Sequence, residues 1–296
     1  MARDTDKIFE RTLNNDLLAQ HGITDDKVGY VVQQYIDRPH LIDDLKYDLR
    51  LYVLVYGVNP LRIYLHQMAF ARFCTEAYER PTKRNMKNIY MHLTNYALNK
   101  QNEEYEEAEG DDGDEGHKRS LGAILQILDG QGCDTRKFMD QVKDLIVKTM
   151  ITGQPNLNFN YKICQPECLD NSMAFQILGF DILIDSQFKP YLLEVNCSPS
   201  FRTDTQLDYK IKKNVILDAF KLLNFSKQRR TDIIKEQRVK QIERIKTGKT
   251  EKFTGQQREA LRQERLTERF KFEASRMNGY ELIYPTADQE QHAKYE

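Results

Sequence analysis

The stretch FQILGFDILIDSQFKPYLLEVN, residues 175–196, decides the fold. Two runs of aliphatic and aromatic residues flank DSQFKP, whose Asp, Ser and Pro favour a turn, so the stretch reads as an antiparallel hairpin. With a four-residue loop over 186–189, Asp185 pairs with Pro190 and Asp181 falls opposite Glu194. Side chains alternate faces along a strand, so Glu194 and Asn196 share a face and Val195 points away. Cross-strand Cβ atoms lie roughly 4.5–5.5 Å apart. Two carboxylates and an amide oxygen therefore converge on one patch. Carboxylates that close repel, and one takes up a proton unless a cation lies between them. Mg²⁺ suits such a patch, because it takes oxygen ligands from one or two carboxylates together with substrate phosphates. A solvated sheet face is the alternative, although the apolar flanks ILGF, ILI and YLL fit it poorly. The residues alone leave both readings open.

Outward from the hairpin, DLRLYVLVYGVNPLRIYLHQ (48–67) reads as two more strands, with Gly57 and Pro60 marking the turn. The chain turns β-like from YVVQQYID onward. FMDQVKDLIVKTMI carries Phe138, Val142, Leu145, Ile146 and Met150 at helical spacing, and LDYKIKKNVILDAFKLLNF is a second amphipathic helix. Between them, residues 101–116 hold nine acids and no Lys or Arg, which predicts a disordered loop. Residues 226–277 hold sixteen Lys/Arg against eight Asp/Glu with few aliphatics and read as a long, charged helix. GYELIYP then forms a small apolar anchor. The fold class is α+β.

The 296 residues suffice for one large domain or two smaller ones. No apolar run reaches the eighteen residues a membrane span needs, and the polar N-terminus is no signal peptide. The five cysteines are odd in number and irregularly spaced, which fits a reducing cytosolic setting; CxxxC at Cys164 and Cys168 has no companion ligands, so no zinc site is expected.

Taken together and in order, DLKYDLRLYVLV, MHLTNYALNK, ILGFDILID and LLEVNCSPSFRTD resemble the tubulin tyrosine ligase-like family, in particular its polyglutamylase branch, over about residues 30–225. The resemblance implies an ATP-grasp-like fold, with a remnant of the nucleotide lid at 1–29, a ligase core at 30–225, a basic helical microtubule-binding extension at 226–277 and a terminal tail at 278–296. It implies an ATP-dependent ligase that adds free L-glutamate to glutamate side chains of tubulin tails through an acyl phosphate. Carried over residue by residue, the metal ligands are Asp181, Glu194 and Asn196, matching the hairpin argument. Gln33, Gln34, Tyr35 and Ile36 match the adenine linker, and Lys46, Asp48, Thr94 and Asn95 match nucleotide contacts. Arg50 suits phosphate or acyl-phosphate oxygens, since a guanidinium fork fits them. Arg72 matches the arginine that takes the incoming amino acid's carboxylate, with Tyr96 and Lys210 as further candidates for that substrate. ATP and Mg²⁺ are the expected cofactors, and tubulin the partner, in a monomer of the cytoplasm and cytoskeleton, with the cilium as a family-level setting. Nucleic acid and membrane are not expected partners.

Two departures qualify the resemblance. The residues ahead of QQYI lack the family's lysine-bearing strand and glycine-rich phosphate loop, so the chain is expected to be a fragment or a degenerate member that binds ATP weakly by itself. After LD the pattern has lysine, where this chain has Tyr209, with Lys210 and Lys212 nearby. Alternative readings are a catalytically inactive microtubule-binding protein, or a ligase for another amino acid or acceptor. For the basic stretch the alternative is a solvated single helix.

Overall fold

Alternation along one strand sorts the whole molecule into two faces. β2, Leu45–Val58, runs LKYDLRLYVLVYGV. Its odd positions, Tyr47, Leu49, Leu51, Val53 and Val55, are apolar and buried in one cluster. Its even positions begin polar (Lys46, Asp48, Arg50) and end aromatic and aliphatic (Tyr52, Leu54, Tyr56), and the latter three enter a second cluster. One strand thus builds a core on one side of the sheet, and a second core plus a charged patch on the other.

The structure, a computed structural model, describes residues 33–107, 113–166, 168–169, 172–247, 254–286 and 295. It divides into Met1–Ile36 and Asp37–Glu296. In the first unit the described residues, Gln33, Gln34, Tyr35 and Ile36, have no regular secondary structure, and the lid remnant expected at 1–29 lies outside the described residues.

In the second unit β2 is central. β1 (Leu41–Ile42) turns into it, and β6 (Phe175–Ile184) pairs along its length, from Asp48↔Leu183 to Tyr56↔Phe175. On its other edge β4 (Phe70–Phe73) takes residues 47–50 and β3 (Leu61–His66) takes 53–58. β5 (Lys118–Ser120) extends β4, β7 (Pro190–Asn196) extends β6, and β8 (Tyr280–Tyr284) extends β3. All these pairings are antiparallel. GYELIYP is therefore a sheet strand, not merely an anchor.

Helices cover the faces. α1 (Ile89–His92) and α2 (Tyr96–Asn99) are single turns within the MHLTNYALNK motif. α3 (Leu121–Gly130) and α4 (Thr135–Cys164) supply Ile124, Leu128, Phe138, Val142 and Ile146 to the first core. Asp134 caps α4 by accepting the Lys137 backbone N–H at 3.0 Å, and the helix runs on past the expected apolar stretch through Pro155. α5 (Gln206–Leu223) sends Leu207, Ile211, Val215, Ala219 and Leu222 into the second core and ends at Asn224 in the left-handed region. α6 (Lys227–Thr247) carries exposed Ile234, Val239, Ile242 and Ile245 among its charges. α7 (Gly255–Ala274) opens on a capping box between Thr254 and Gln257 and buries Leu266 and Glu273.

Among the described residues four histidines are buried: His40, His66, His92 and His117. Burial pushes each imidazole below its ordinary value, ahead of opposing hydrogen bonds that the rings donate to Gln131 (His40), to the Met68 backbone (His66) and to the Glu106 backbone (His117). The unfolded chain then binds more protons than the folded one below about 6.5, the ordinary histidine pKa, so stability falls as pH drops through that value. Urea unfolding should show a midpoint that declines on acidification through this window; a flat midpoint contradicts neutral buried histidines.

Candidate active site

The charged half of the β2 face is built by register. Arg50 is the cross-strand partner of Asp181 on β6, and Asp48 is the partner of Arg72 on β4. Partners in an antiparallel pair project from the same face, so four charges meet with no loop needed to aim them. Arg50 donates from Nε to Asp181 Oδ1 at 2.5 Å and from Nη2 to Oδ2 at 2.9 Å. Arg72 donates from Nε to Asp48 Oδ1 at 2.8 Å, grips Asp48 Oδ2 through Nη2, and reaches Asp181 Oδ2 at 2.7 Å. Thr94, in the loop between α1 and α2, donates its hydroxyl to Asp48 Oδ2 at 2.8 Å, and Lys46 donates to the His92 carbonyl at 2.7 Å.

Gly179 permits this closeness. A Cβ there would lie 3.0 Å from Pro199 Cβ and 3.3 Å from Arg50 Cδ, crowding the side chain that pairs with Asp181. Both aspartates are 1% exposed. Burial alone would raise the Asp181 carboxyl, but the Arg50 hydrogen bonds and the two guanidinium charges reverse that and hold it below the ordinary aspartate range. For Asp48 burial wins over Arg72, so its carboxyl is raised.

The hairpin brings its three candidate ligands together by an unexpected route. Ile184, not Asp185, pairs with Pro190, because Asp185 Oδ1 accepts the backbone N–H groups of Gln187 and Lys189 and lengthens the turn. A bulge at Leu193 then restores the register, and Asp181 faces Glu194 as the sequence predicts. The extra residue also turns Leu192 toward the first core, beside Val195. Asn196 Nδ2 donates to Glu194 Oε1 at 3.0 Å and to Asp181 Oδ2 at 3.3 Å. Rotating that amide would present its oxygen instead, giving three hard donors in reach of one cation. The donor set therefore fits Mg²⁺.

The other candidates divide. The Tyr96 hydroxyl donates to Asp204 Oδ2 at 3.2 Å, and its ring lies against Lys118. Asn95 is exposed at the start of α2. Lys210 is exposed on α5, and the lysine that turns inward is Lys212. Gln33, Gln34, Tyr35 and Ile36 belong to the other unit. At the ends of the acidic stretch expected to be disordered, Tyr105 packs on Tyr96 and His117, and the Gly113 carbonyl accepts the Ser120 N–H at 2.7 Å; residues 108–112 lie outside the described residues. Sequence reasoning missed Lys118 and Asp208, a buried pair next to Arg72. Only the KR dipeptide on a three-residue strand hints at Lys118.

No helix among the described residues is long and apolar enough to cross a membrane. Residues 6–233 match the tubulin-tyrosine ligase family. A probable beta-tubulin polyglutamylase of Tetrahymena thermophila is 44% identical over 88% of this chain and 22% of its own length. Tubulin polyglutamylase ttll6 of Danio rerio is 36% identical over 90% of the chain and 34% of its own, and tubulin polyglutamylase TTLL7 of Homo sapiens 37% identical over 90% and 32%. The chain thus spans between about a fifth and a third of the length of these relatives. The family match covers the strands that place Asp48, Arg50, Arg72, Asp181, Glu194 and Asn196, and the chain belongs to the tubulin-tyrosine ligase family.

Proposed function

We propose that this chain carries the catalytic face of an ATP-dependent ligase that adds glutamate to glutamate side chains of tubulin tails. The observation that carries the reading is the convergence of Arg50, Arg72, Asp181, Glu194 and Asn196 on one sheet face. The names of the relatives, which are tubulin polyglutamylases, support this choice of acceptor and amino acid.

In the proposed reaction an acceptor carboxylate oxygen attacks the γ-phosphorus of ATP and ADP leaves. The amine of free glutamate then attacks the acyl carbon, phosphate departs, and the nitrogen loses a proton. Such chemistry is mostly positioning and charge neutralisation. Asp181, Glu194 and Asn196 would hold Mg²⁺, which supplies positive charge to the phosphates when bound. Arg50 offers a fork to the phosphoryl oxygens, and Arg72 holds the amino acid's carboxylate. Lys46 and Thr94 line the nucleotide side. The Asp48 and Asp181 carboxylates keep both guanidiniums aimed. Docking on acidic tubulin falls to α6, whose sequence holds eight Lys/Arg against three Asp/Glu.

Incubation with tubulin, ATP, Mg²⁺ and labelled glutamate tests this. The expected result is ATP-dependent label on tubulin tails that disappears in Glu194→Gln; label from glycine or tyrosine in place of glutamate sinks the glutamate assignment. Microtubule co-sedimentation should weaken steeply with salt.

A further inference from the structure

Between β4 and α1 the chain carries a charged surface that the proposed chemistry does not use. Residues 80–87, RPTKRNMK, hold Arg80, Lys83, Arg84 and Lys87 and no acid. All four cations are exposed, and none meets a carboxylate among the described residues. Like charges crowded into one turn repel, so an anionic chain laid across them is favoured. The surface belongs to the sheet face by connection. The chain leaves that face just after Arg72 on β4 and returns to it at Thr94, whose hydroxyl donates to Asp48.

The charges are held in shape. Asn85 Oδ1 accepts the Thr82 N–H at 2.6 Å and the Thr82 hydroxyl at 3.0 Å, and Asn85 Nδ2 donates to the Arg80 carbonyl at 3.0 Å. On the incoming side the Tyr78 N–H donates to the Asp44 carbonyl at 2.8 Å and the Thr75 N–H to the Tyr90 carbonyl at 3.1 Å. A preorganised array loses less freedom on binding than a loose one. Apolar surface adjoins the cations. Met86, Ile89 and Leu93 are 62%, 40% and 43% exposed, and Ile89 and Leu93 stand one helical turn apart. Apolar contacts inside a charged rim are the anatomy of a binding surface rather than of a solvated loop.

We propose that the basic turn at 80–87, with Met86, Ile89 and Leu93 beside it, docks the acidic peptide that carries the acceptor carboxylate. The proposal deepens the ligase reading and rests on it, and it is separate from docking through α6. The turn grips acids some residues away from the glutamate being modified. An extended peptide advances about 3.3 Å per residue, so neighbouring acids lie along the turn while the acceptor sits on the sheet face. The cations supply affinity and salt dependence, and the apolar residues favour a peptide with an apolar side chain among its acids.

The test uses the full chain and a fluorescent synthetic peptide of glutamates with one phenylalanine. Wild type should bind it, and less tightly as salt rises. Changing Arg80, Lys83, Arg84 and Lys87 together to glutamine should raise Kd by at least about ten-fold and leave the urea midpoint in place, since all four are exposed. Met86→Ser should weaken this peptide more than an all-glutamate one. Reversing the exposed charges of α6 should leave the peptide's Kd unchanged. No binding by wild type, an unchanged Kd in the glutamine variant, or an equal loss in the α6 variant overturns the surface. A lowered urea midpoint in the glutamine variant means that this chain itself covers the turn, which also overturns it. In the ligation assay the glutamine variant should raise KM for the acceptor and leave KM for ATP and for glutamate in place. If wild type ligates glutamate and the variant does so with an unchanged acceptor KM, the surface alone has failed. If the peptide binds the turn yet no glutamate is ligated, the ligase reading has failed and the surface stands.

Discussion

Replacing Asp181 with asparagine is expected to abolish ligation and destabilise the fold, whereas Glu194→Gln should abolish ligation alone. Asp181 is the shared acceptor of Arg50 and Arg72, at 2.5–2.9 Å and 2.7 Å, with a side chain 2% exposed. The asparagine keeps the shape and loses the charge, leaving a surplus guanidinium in a buried site. Removing one partner of a buried ion pair costs roughly 3–5 kcal/mol. Glu194 is exposed and accepts a hydrogen bond from Asn196, so its loss uncovers no buried charge. Comparing the two variants therefore separates the fold from the chemistry on a single hairpin. Urea midpoints and glutamate incorporation are the two readouts. Equal stability of Asp181→Asn and wild type contradicts the central role of Asp181, and robust incorporation by either variant contradicts the metal assignment. The carboxyl of Asp181 lies below the ordinary aspartate range, so its contribution is present above that range and is lost as pH falls through the depressed folded value.

The shared face was legible because period-two alternation is fixed by covalent geometry: Glu194 and Asn196 must share a face, as must Asp48 and Arg50. The register was harder. A turn length of four gives Asp181 opposite Glu194; the actual turn is one residue longer, and only the bulge at Leu193 returns the two to the same pairing. Neither feature has a sequence signal strong enough to foresee, because the Asp185 side chain sets the turn and burial of Leu192 sets the bulge. β8 was hidden for another reason. Five residues at the far end of the chain are a strand because β3 offers an open edge, a long-range fact that a local pattern does not carry. Lys118 sits on a strand of three residues, too short for periodicity, and its meaning comes entirely from Arg72 across the ladder and Asp208 from α5.

Glu273→Ala should be about as destabilising as Asp181→Asn, although it lies far along the chain in a segment whose composition suggests a solvated helix. Its carboxylate, 1% exposed, accepts from Arg269 Nε at 2.7 Å and from the Tyr64 hydroxyl, and lies 3.5 Å from Arg62 Nε. Arg62 is itself 0% exposed and donates to the Tyr56 carbonyl at 2.8 Å, while Arg269 donates to the Leu222 carbonyl at 3.0 Å. Both guanidiniums also lie over the Tyr56 ring, at 4.7 Å and 4.6 Å. Alanine would strand the buried Arg62 and the half-buried Arg269 against each other, a loss of up to roughly 3–5 kcal/mol. Glu273→Gln, which keeps hydrogen-bond capacity without charge, should fall between. Urea midpoints in the order wild type, Gln, Ala are the expected outcome, and an unchanged midpoint for alanine means that α7 is not held to the sheet by this residue. The consequence reaches the microtubule question. Residues 226–277 contain this anchor, so deleting them removes part of the core together with the basic surface. Reversing the exposed charges of α6 at Arg229, Arg230, Arg238 and Arg244 leaves Glu273 and its partners in place. If α6 docks on acidic tubulin, that variant should keep its urea midpoint and lose salt-sensitive co-sedimentation; retained binding would shift the docking surface elsewhere.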